Sequence, residues 1–274
     1  MKVIFSRKGV DSAAGKCASA LLGSRPISLP IPTSEPTPAT YGHLNRELSW
    51  MASDLSGGAL ASTRPCHLDP DIDRDALATR PEGWRGALGQ VSSSLSHLRN
   101  QGVGPGDLFL FWGLYRPVAM MDGAWRYCGP RQHVMFGWLH VETVCEVGKD
   151  GTELLGRYPW LTAHPHVRPG WSGANAVYLA SEGFNIAGRN FPGSGIFQRA
   201  FRLTGQGERL PSVWRVPPWL DLVAGGVGLS YHPPGRWLGD GRLQSAARGQ
   251  EFVADVTYRA DASSWIADIL EAHR

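Results

Sequence analysis

Three short segments carry the side chains best able to do chemistry. The first is Arg7-Lys8-Gly9-Val10-Asp11-Ser12, with Gly15 and Lys16 just beyond. Two adjacent cations, a glycine that permits close backbone approach and a serine hydroxyl could hold a phosphate, with Asp11 as base or metal ligand. The glycine and lysine spacing of a P-loop is absent, and a solvated loop at a strand end accounts for the same residues. The second segment is Cys66-His67-Leu68-Asp69-Pro70-Asp71-Ile72-Asp73. In extended chain His67, Asp69 and Asp71 project to one face, within reach of one ion or one substrate. Asp69 or Asp71 can equally cap a helix running from Asp73 to Ala78, an explanation in which His67 has no part. The third is His164-Pro165-His166, two further imidazoles on one face. Joined to His67 and Asp69 they would complete a two-histidine, one-carboxylate set of the kind used by non-haem iron oxygenases. The double-stranded β-helix of those enzymes needs several strands before His67, which the sequence does not supply.

Aromatic residues form a fourth group: Phe109, Phe111, Trp112, Tyr115, Trp125, Tyr127, Phe136 and Trp138, interleaved with Arg116, Arg126 and Arg131. Rings and guanidinium groups together can cage a flipped base or grip a single strand. The same rings can fill a core. Trp112 and Trp138, near strand ends and beside glycine, are the two best placed for binding, with Arg116 as a cationic neighbour. The fingerprints of dinucleotide binding, the serine-hydrolase elbow, the zinc-protease helix and the zinc deaminase are all missing, which disfavours those chemistries.

The elements that must position these residues are short. Val3-Ile4-Phe5 reads as a buried first strand that delivers the Arg7 loop. Residues 27–32 form an extended or edge segment confined by prolines, and 33–42 an exposed loop. Trp84, Leu88, Val91, Leu95 and Leu98 recur at spacings of four and three and predict a helix over 84–98, stopped by Asn100 and Gly102. Gly104-Pro105-Gly106-Asp107 turns into a strand over 108–112, whose partner spans 133–141, with a long connection over 115–132. A strand over 175–180, a glycine-rich turn over 191–197 and a C-terminal helix over 264–270 complete the pattern.

With 274 residues, 42% hydrophobic and 19% charged, the chain can bury a real core and is neither disordered nor a coiled coil. Its 34 glycines and 20 prolines exclude long helices throughout. The net charge of +3 permits contact with polyanions without demanding it. Lysine occurs only at 2, 8, 16 and 149, so the positive charge is mostly arginine, which suits bidentate phosphate contacts and also follows from coding bias. Cys17, Cys66, Cys128 and Cys145 are too irregularly spaced for a zinc or redox motif and read as ordinary buried thiols. No signal peptide or membrane span is seen, which predicts a cytoplasmic protein with no membrane partner. The expected fold is one α+β domain over 1–274, with a mixed, mostly short-stranded sheet or partial barrel and a few helices.

Taken in order, several segments resemble the nucleotide modification associated domain family of the third type. They are Phe5 to Ser12, Ser28-Leu29-Pro30-Ile31-Pro32, His67 to Asp71, Gly102 to Phe111, Val134 to Leu139, His164-Pro165-His166 and Pro192 to Phe197. The resemblance implies a role in phage or bacterial systems that build or handle modified DNA bases, with other components of such a system as partners. It also points to Arg7, Lys8, Asp11, His67, Asp69 and Asp71 as catalytic, with His164 and His166 contacting substrate beside Ser12. The expected function is nucleotide or DNA base modification, with a divalent metal as a possible cofactor of unknown identity. The paired strands around Phe136-Gly137-Trp138 are also similar to barrels of the PUA and EVE type. That likeness implies a non-catalytic reader of modified nucleic acid, dominated by Trp112, Trp138 and Arg116. A structural subunit of a larger complex is the third possibility.

Overall fold

Val3, Ile4 and Phe5 are almost wholly buried because their strand has neighbours on both edges and apolar layers on both faces. In the computed structural model, which describes residues 1–35, 37–148, 151–168 and 173–274, the first half of the chain contributes eight strands. These are β1 (Lys2–Arg7), β2 (Ser19–Leu22), β3 (Arg25–Ile27), β4 (Ile31–Pro32), β5 (Cys66–His67), β6 (Ala87–Val91), β7 (Leu108–Met121) and β8 (Ala124–Tyr127). The second half adds β9 (Gln132–Glu146), β10 (Asn175–Ala180), β11 (Gly183–Ile186), β12 (Arg189–Pro192), β13 (Ser194–Arg202), β14 (Val213–Arg215), β15 (Trp237–Gly239), β16 (Arg242–Gln244) and β17 (Glu251–Asp255). The helices are α1 (Arg46–Leu55), α2 (Ser92–Asn100), α3 (Thr152–Arg157) and α4 (Ala260–His273).

The main sheet runs β17-β1-β7-β9-β10-β6, with β13 on β9 and with β2, β3 and β8 along the far half of β7. It is mixed: β1 and β2 lie parallel to β7, while the other pairs are antiparallel. The two ends of that order do not pair, so the sheet curls into a half-barrel and the fold is α+β. Alternation of side chains divides two cores. Val3, Phe5, Leu108, Leu110 and Trp112 face α4 and the β14–β16 layer, whereas Ile4, Phe109 and Phe111 face Leu95 and Leu98 of α2. A third cluster packs α1 on β2 and β3, and a fourth seats Val147, Leu154, Trp160, Leu161 and Val167 on β6 and β10. Among the described residues no helix is long and apolar enough to cross a membrane.

Several sequence expectations are revised. Residues 84–98 are not one helix: Ala87–Val91 pairs with β10, and α2 begins only at Ser92, whose φ of 52° turns the chain. The ladder to β10 satisfies that backbone, and Trp84 lies instead against the Arg80 guanidinium, 4.5 Å from its ring centre. The connection over 115–132 is mostly a continuation of β7 into β8, turned at Asp122-Gly123 with both residues at positive φ, as a tight hairpin turn requires. The turn expected over 191–197 belongs to β12 and β13. The loop over 33–42, of which Pro36 lies outside the described residues, is tied down by Tyr41, whose buried hydroxyl donates to the Pro30 carbonyl at 2.6 Å. Of the cysteines, Cys17 and Cys66 are buried but Cys128 is exposed and Cys145 only partly covered.

Two histidines outside the site depend on being neutral. His232 Nδ1 lies 2.8 Å from the Ser230 carbonyl and its Nε2 accepts from the Ala246 N–H, so no second proton fits. His133 Nδ1 accepts from Trp214 Nε1 at 2.9 Å. Burial pushes both imidazoles down to about 4. The unfolded chain therefore takes up these protons first as the pH falls. Stability is expected to be intact above about pH 6.5 and to fall towards pH 4, by up to about 3 kcal/mol per group. Denaturant unfolding across that range checks this, and His133→Asn should show a smaller loss.

Candidate metal centre

The Arg7 loop reaches its place through the sheet. β1 leaves β7 at the Arg7–Trp112 pair and β2 rejoins it at Ser19–Tyr115, so residues 8–18 form an excursion from the sheet. Gly113 makes the departure possible, because a Cβ there would sit 2.6 Å from the Lys8 carbonyl. The Val10 N–H then donates to Leu29, and Ile31 pairs with His67. Residues 69–71 are carried on to β6 by the Asp71–Ala87 bridge. The loop bearing His164 and His166 arrives from the opposite side, anchored by the buried Leu161 and Val167.

These approaches meet in a cleft of about 200 Å³ lined by Arg7, Lys8 and Asp11 on one side and His67, Asp69 and His166 on the other. His67 Nε2 and His166 Nε2 are 3.2 Å apart. Asp69 Oδ2 lies 3.9 Å from His166 Nε2, and one ligand atom from each of the three residues falls within 4.8 Å of the others. His164 stands behind the carboxylate, with its Nε2 3.5 Å from Asp69 Oδ1. The Gly89 N–H donates to that same Oδ1 at 2.7 Å.

The proton on His166 is decided by Asn175. Its Nδ2 donates to the His166 carbonyl at 2.9 Å, which leaves Oδ1 to accept from His166 Nδ1 at 3.0 Å. His166 Nε2 thus carries a lone pair directed at His67 and Asp69, the arrangement by which an outer partner orients a metal-binding imidazole. Burial pushes His166 down to about 4 and lowers His67 as well, in both cases against the attraction of Asp69. Burial alone would raise the Asp69 carboxyl, but the His164 contact and the nearby positive charge hold it well below the usual carboxylate range. Two neutral imidazoles and one carboxylate are the donor set a divalent transition ion requires.

The remaining predicted residues are distributed as follows. Lys8 Nζ is 3.0 Å from Glu251 in a buried pair that Gln90 completes by donating to the same oxygen. Arg7 reaches the Ala247 carbonyl at 3.3 Å and stays in the cleft wall. Asp11 Oδ1 accepts from the N–H groups of Ala13 and Ala14, and the exposed Ser12 lines a smaller cavity beside Arg7. Asp71 is not brought to the cleft: Arg80 grips it through two hydrogen bonds of 2.7 and 2.9 Å, and Trp84 donates at 3.0 Å. The expected cap is made by Asp73, which heads a short turn over 74–76. Trp112 and Trp138 are 1% and 3% exposed and belong to the core under α4, and neither lines the cleft. Arg116 covers the Tyr127 ring at 4.5 Å on the β7–β8 hairpin, away from the cleft.

The geometry stands alongside a match of residues 2–255 to the family described as nucleotide modification associated domain 3. The chain belongs to this family. No curated protein and no solved structure matches it. Membership associates this nucleotide modification associated domain with nucleotide modification.

Gly89 and Asn175 escaped the sequence reading. A glycine inside an apolar strand pattern can mark a close backbone approach, and that is its role here. A Cβ on Gly89 would lie 2.1 Å from His166 Cγ, inside the ring's own volume. Gly89→Ala is expected to lower stability by about 1–3 kcal/mol through overpacking. Gly104→Ala, where a Cβ meets nothing, serves as the control in denaturant unfolding and should stay within about 0.5 kcal/mol. Asp71→Ala strands the buried Arg80 and should cost about 3–5 kcal/mol in the same assay.

Proposed function

We propose that this domain is a divalent-cation-dependent enzyme acting on a nucleotide or a DNA base. His67, Asp69 and His166 hold the ion, and Arg7 supplies positive charge where a phosphate would enter. The observation that carries this reading is the convergence of three ligand atoms within 4.8 Å at the wall of a cleft that also holds Arg7. Three protein ligands leave coordination positions free, and a bound divalent ion there would supply Lewis acidity and an activated water. Asn175 keeps the His166 lone pair aimed at the ion position, while Gly89 and His164 hold the carboxylate. Lys8, neutralised by Glu251, adds little net charge, which leaves Arg7 as the principal phosphate contact. The reader alternative is not better supported, since Trp112 and Trp138 are core residues.

Thermal unfolding of the purified chain with Mn²⁺, Zn²⁺ or anaerobic Fe²⁺ tests the assignment. An ion at about a hundred times its dissociation constant adds about 2.7 kcal/mol of stability. At least one of these ions should stabilise the native protein, and His166→Ala should abolish the effect. Asn175→Ala should weaken affinity about 10- to 100-fold by calorimetric titration. An absence of stabilisation by every ion rejects the metal centre.

A further inference from the structure

A second cavity, of about 170 Å³, backs onto the cleft and shares Gly9 and Asp69 with it. It lies between β3, the start of α1 and the chain that follows His67. Leu68, Ile72, Phe136 and Ile196 give it apolar walls, and the first three are buried. Asp73 and Gln198 bring polar groups to the same space, as do Arg25, Asn45, Glu47 and Asp75. Asp73 Oδ1 accepts from the Asp75 N–H, while its second carboxylate oxygen makes no hydrogen bond among the described residues.

Size and chemistry restrict what fits. A cavity of about 150 Å³ accommodates a benzene ring, so this one has room for a single planar ring system and not for a whole nucleotide. Apolar walls with a few directed acceptors suit a flat heterocycle that presents amino hydrogens. Gly9 lines both the cavity and the cleft. Its φ is +81°, and a Cβ there would sit 3.1 Å from Ser28 Oγ.

We infer that this cavity receives a nucleobase bearing an exocyclic amino group, with its sugar and phosphate passing Gly9 towards Arg7. The inference rests on the nucleotide reading above and adds the substrate class and the place of the base. Asp73 accepts the amino hydrogens, Phe136 and Ile72 cover the ring, and Asp69 lies in the wall between base and ion position. A thymine or uracil ring has no amino group and offers Asp73 only its single N3–H, flanked by two carbonyl oxygens that repel a carboxylate, so it binds less well. The base comes either from a free nucleotide or from DNA that has released it from the stack.

Calorimetric titration of the full chain, with and without Mn²⁺, tests this using dCMP, dAMP, dGMP, dTMP and deoxyribose 5-phosphate. The amino-bearing nucleotides should bind at least tenfold more tightly than deoxyribose 5-phosphate, and dTMP more weakly than they do. Ile196→Trp should remove the advantage of the base while leaving Mn²⁺ affinity unchanged. If that variant fails to fold, Gln198→Trp at the exposed rim replaces it. Equal affinity for the sugar phosphate and the nucleotides, or dTMP binding as well as dCMP, overturns the inference, as does a base advantage that survives the filled cavity. A chain that binds bases in the expected order but no Mn²⁺ overturns the metal centre alone. Competition of short single-stranded DNA with dCMP assigns the base to DNA, and its absence assigns it to a free nucleotide.

Discussion

Asp69 is buried and charged, and a carboxylate in that setting costs several kcal/mol unless its oxygens are matched by donors or opposite charge. The surrounding architecture answers that requirement. One oxygen takes the Gly89 N–H and faces His164, and the other faces His166. The partners come from two distant parts of the chain, β6 and the 164–166 loop, so the carboxylate can be stable only where these and the β5 turn converge. The tolerance is narrow. His166 lies against backbone that no other residue type at 89 would leave open.

The second charged layer follows the same logic. Lys8 and Glu251 are both buried, and their pairing with Gln90 ties the Arg7 loop to β17 and to β6. A network that is satisfied on most sides gives rigidity to what it touches, whereas each unpaired member would be costly. Glu251 Oε2 and Ser6 Oγ have no hydrogen-bond partner among the described residues, so this layer keeps unused hydrogen-bonding capacity. Asp71 and Arg80 form a third buried pair whose capacity is fully spent on holding residues 71–84. Proximity in sequence to Asp69 therefore says little about a shared role: the two carboxylates meet different partners, a backbone N–H and imidazoles for Asp69 and a guanidinium for Asp71.

Much of the fold was legible locally. The first strand, the 108–112 strand and its partner, the 175–180 strand and the C-terminal helix follow from apolar runs and periodicity, and all but the 175–180 strand are longer in the structure. The 84–98 segment misled because Leu88 and Val91 belong to a strand and Leu95 and Leu98 to a helix, and their spacings join by accident across Ser92. Helix α1 went unseen, since its apolar residues are Leu48, Met51, Ala52 and Leu55 among polar neighbours with few other cues. Trp112 and Trp138 looked available because sequence shows ring type and not what covers the ring.

By itself the sequence determined the donor types and their local spacing: an imidazole two residues before a carboxylate, and two imidazoles flanking a proline. Those spacings place side chains on common faces, which is a short-range property of extended backbone. Which of them meet was a matter for tertiary structure. His67 and His166 are separated by 99 positions, and the β4–β5 pairing, the β6–β10 ladder and the anchoring of Leu161 and Val167 bring their Nε2 atoms to 3.2 Å. The tautomer of His166, the acceptor role of Asn175 and the need for glycine at 89 arise from those contacts, because each depends on a neighbour that is distant along the chain.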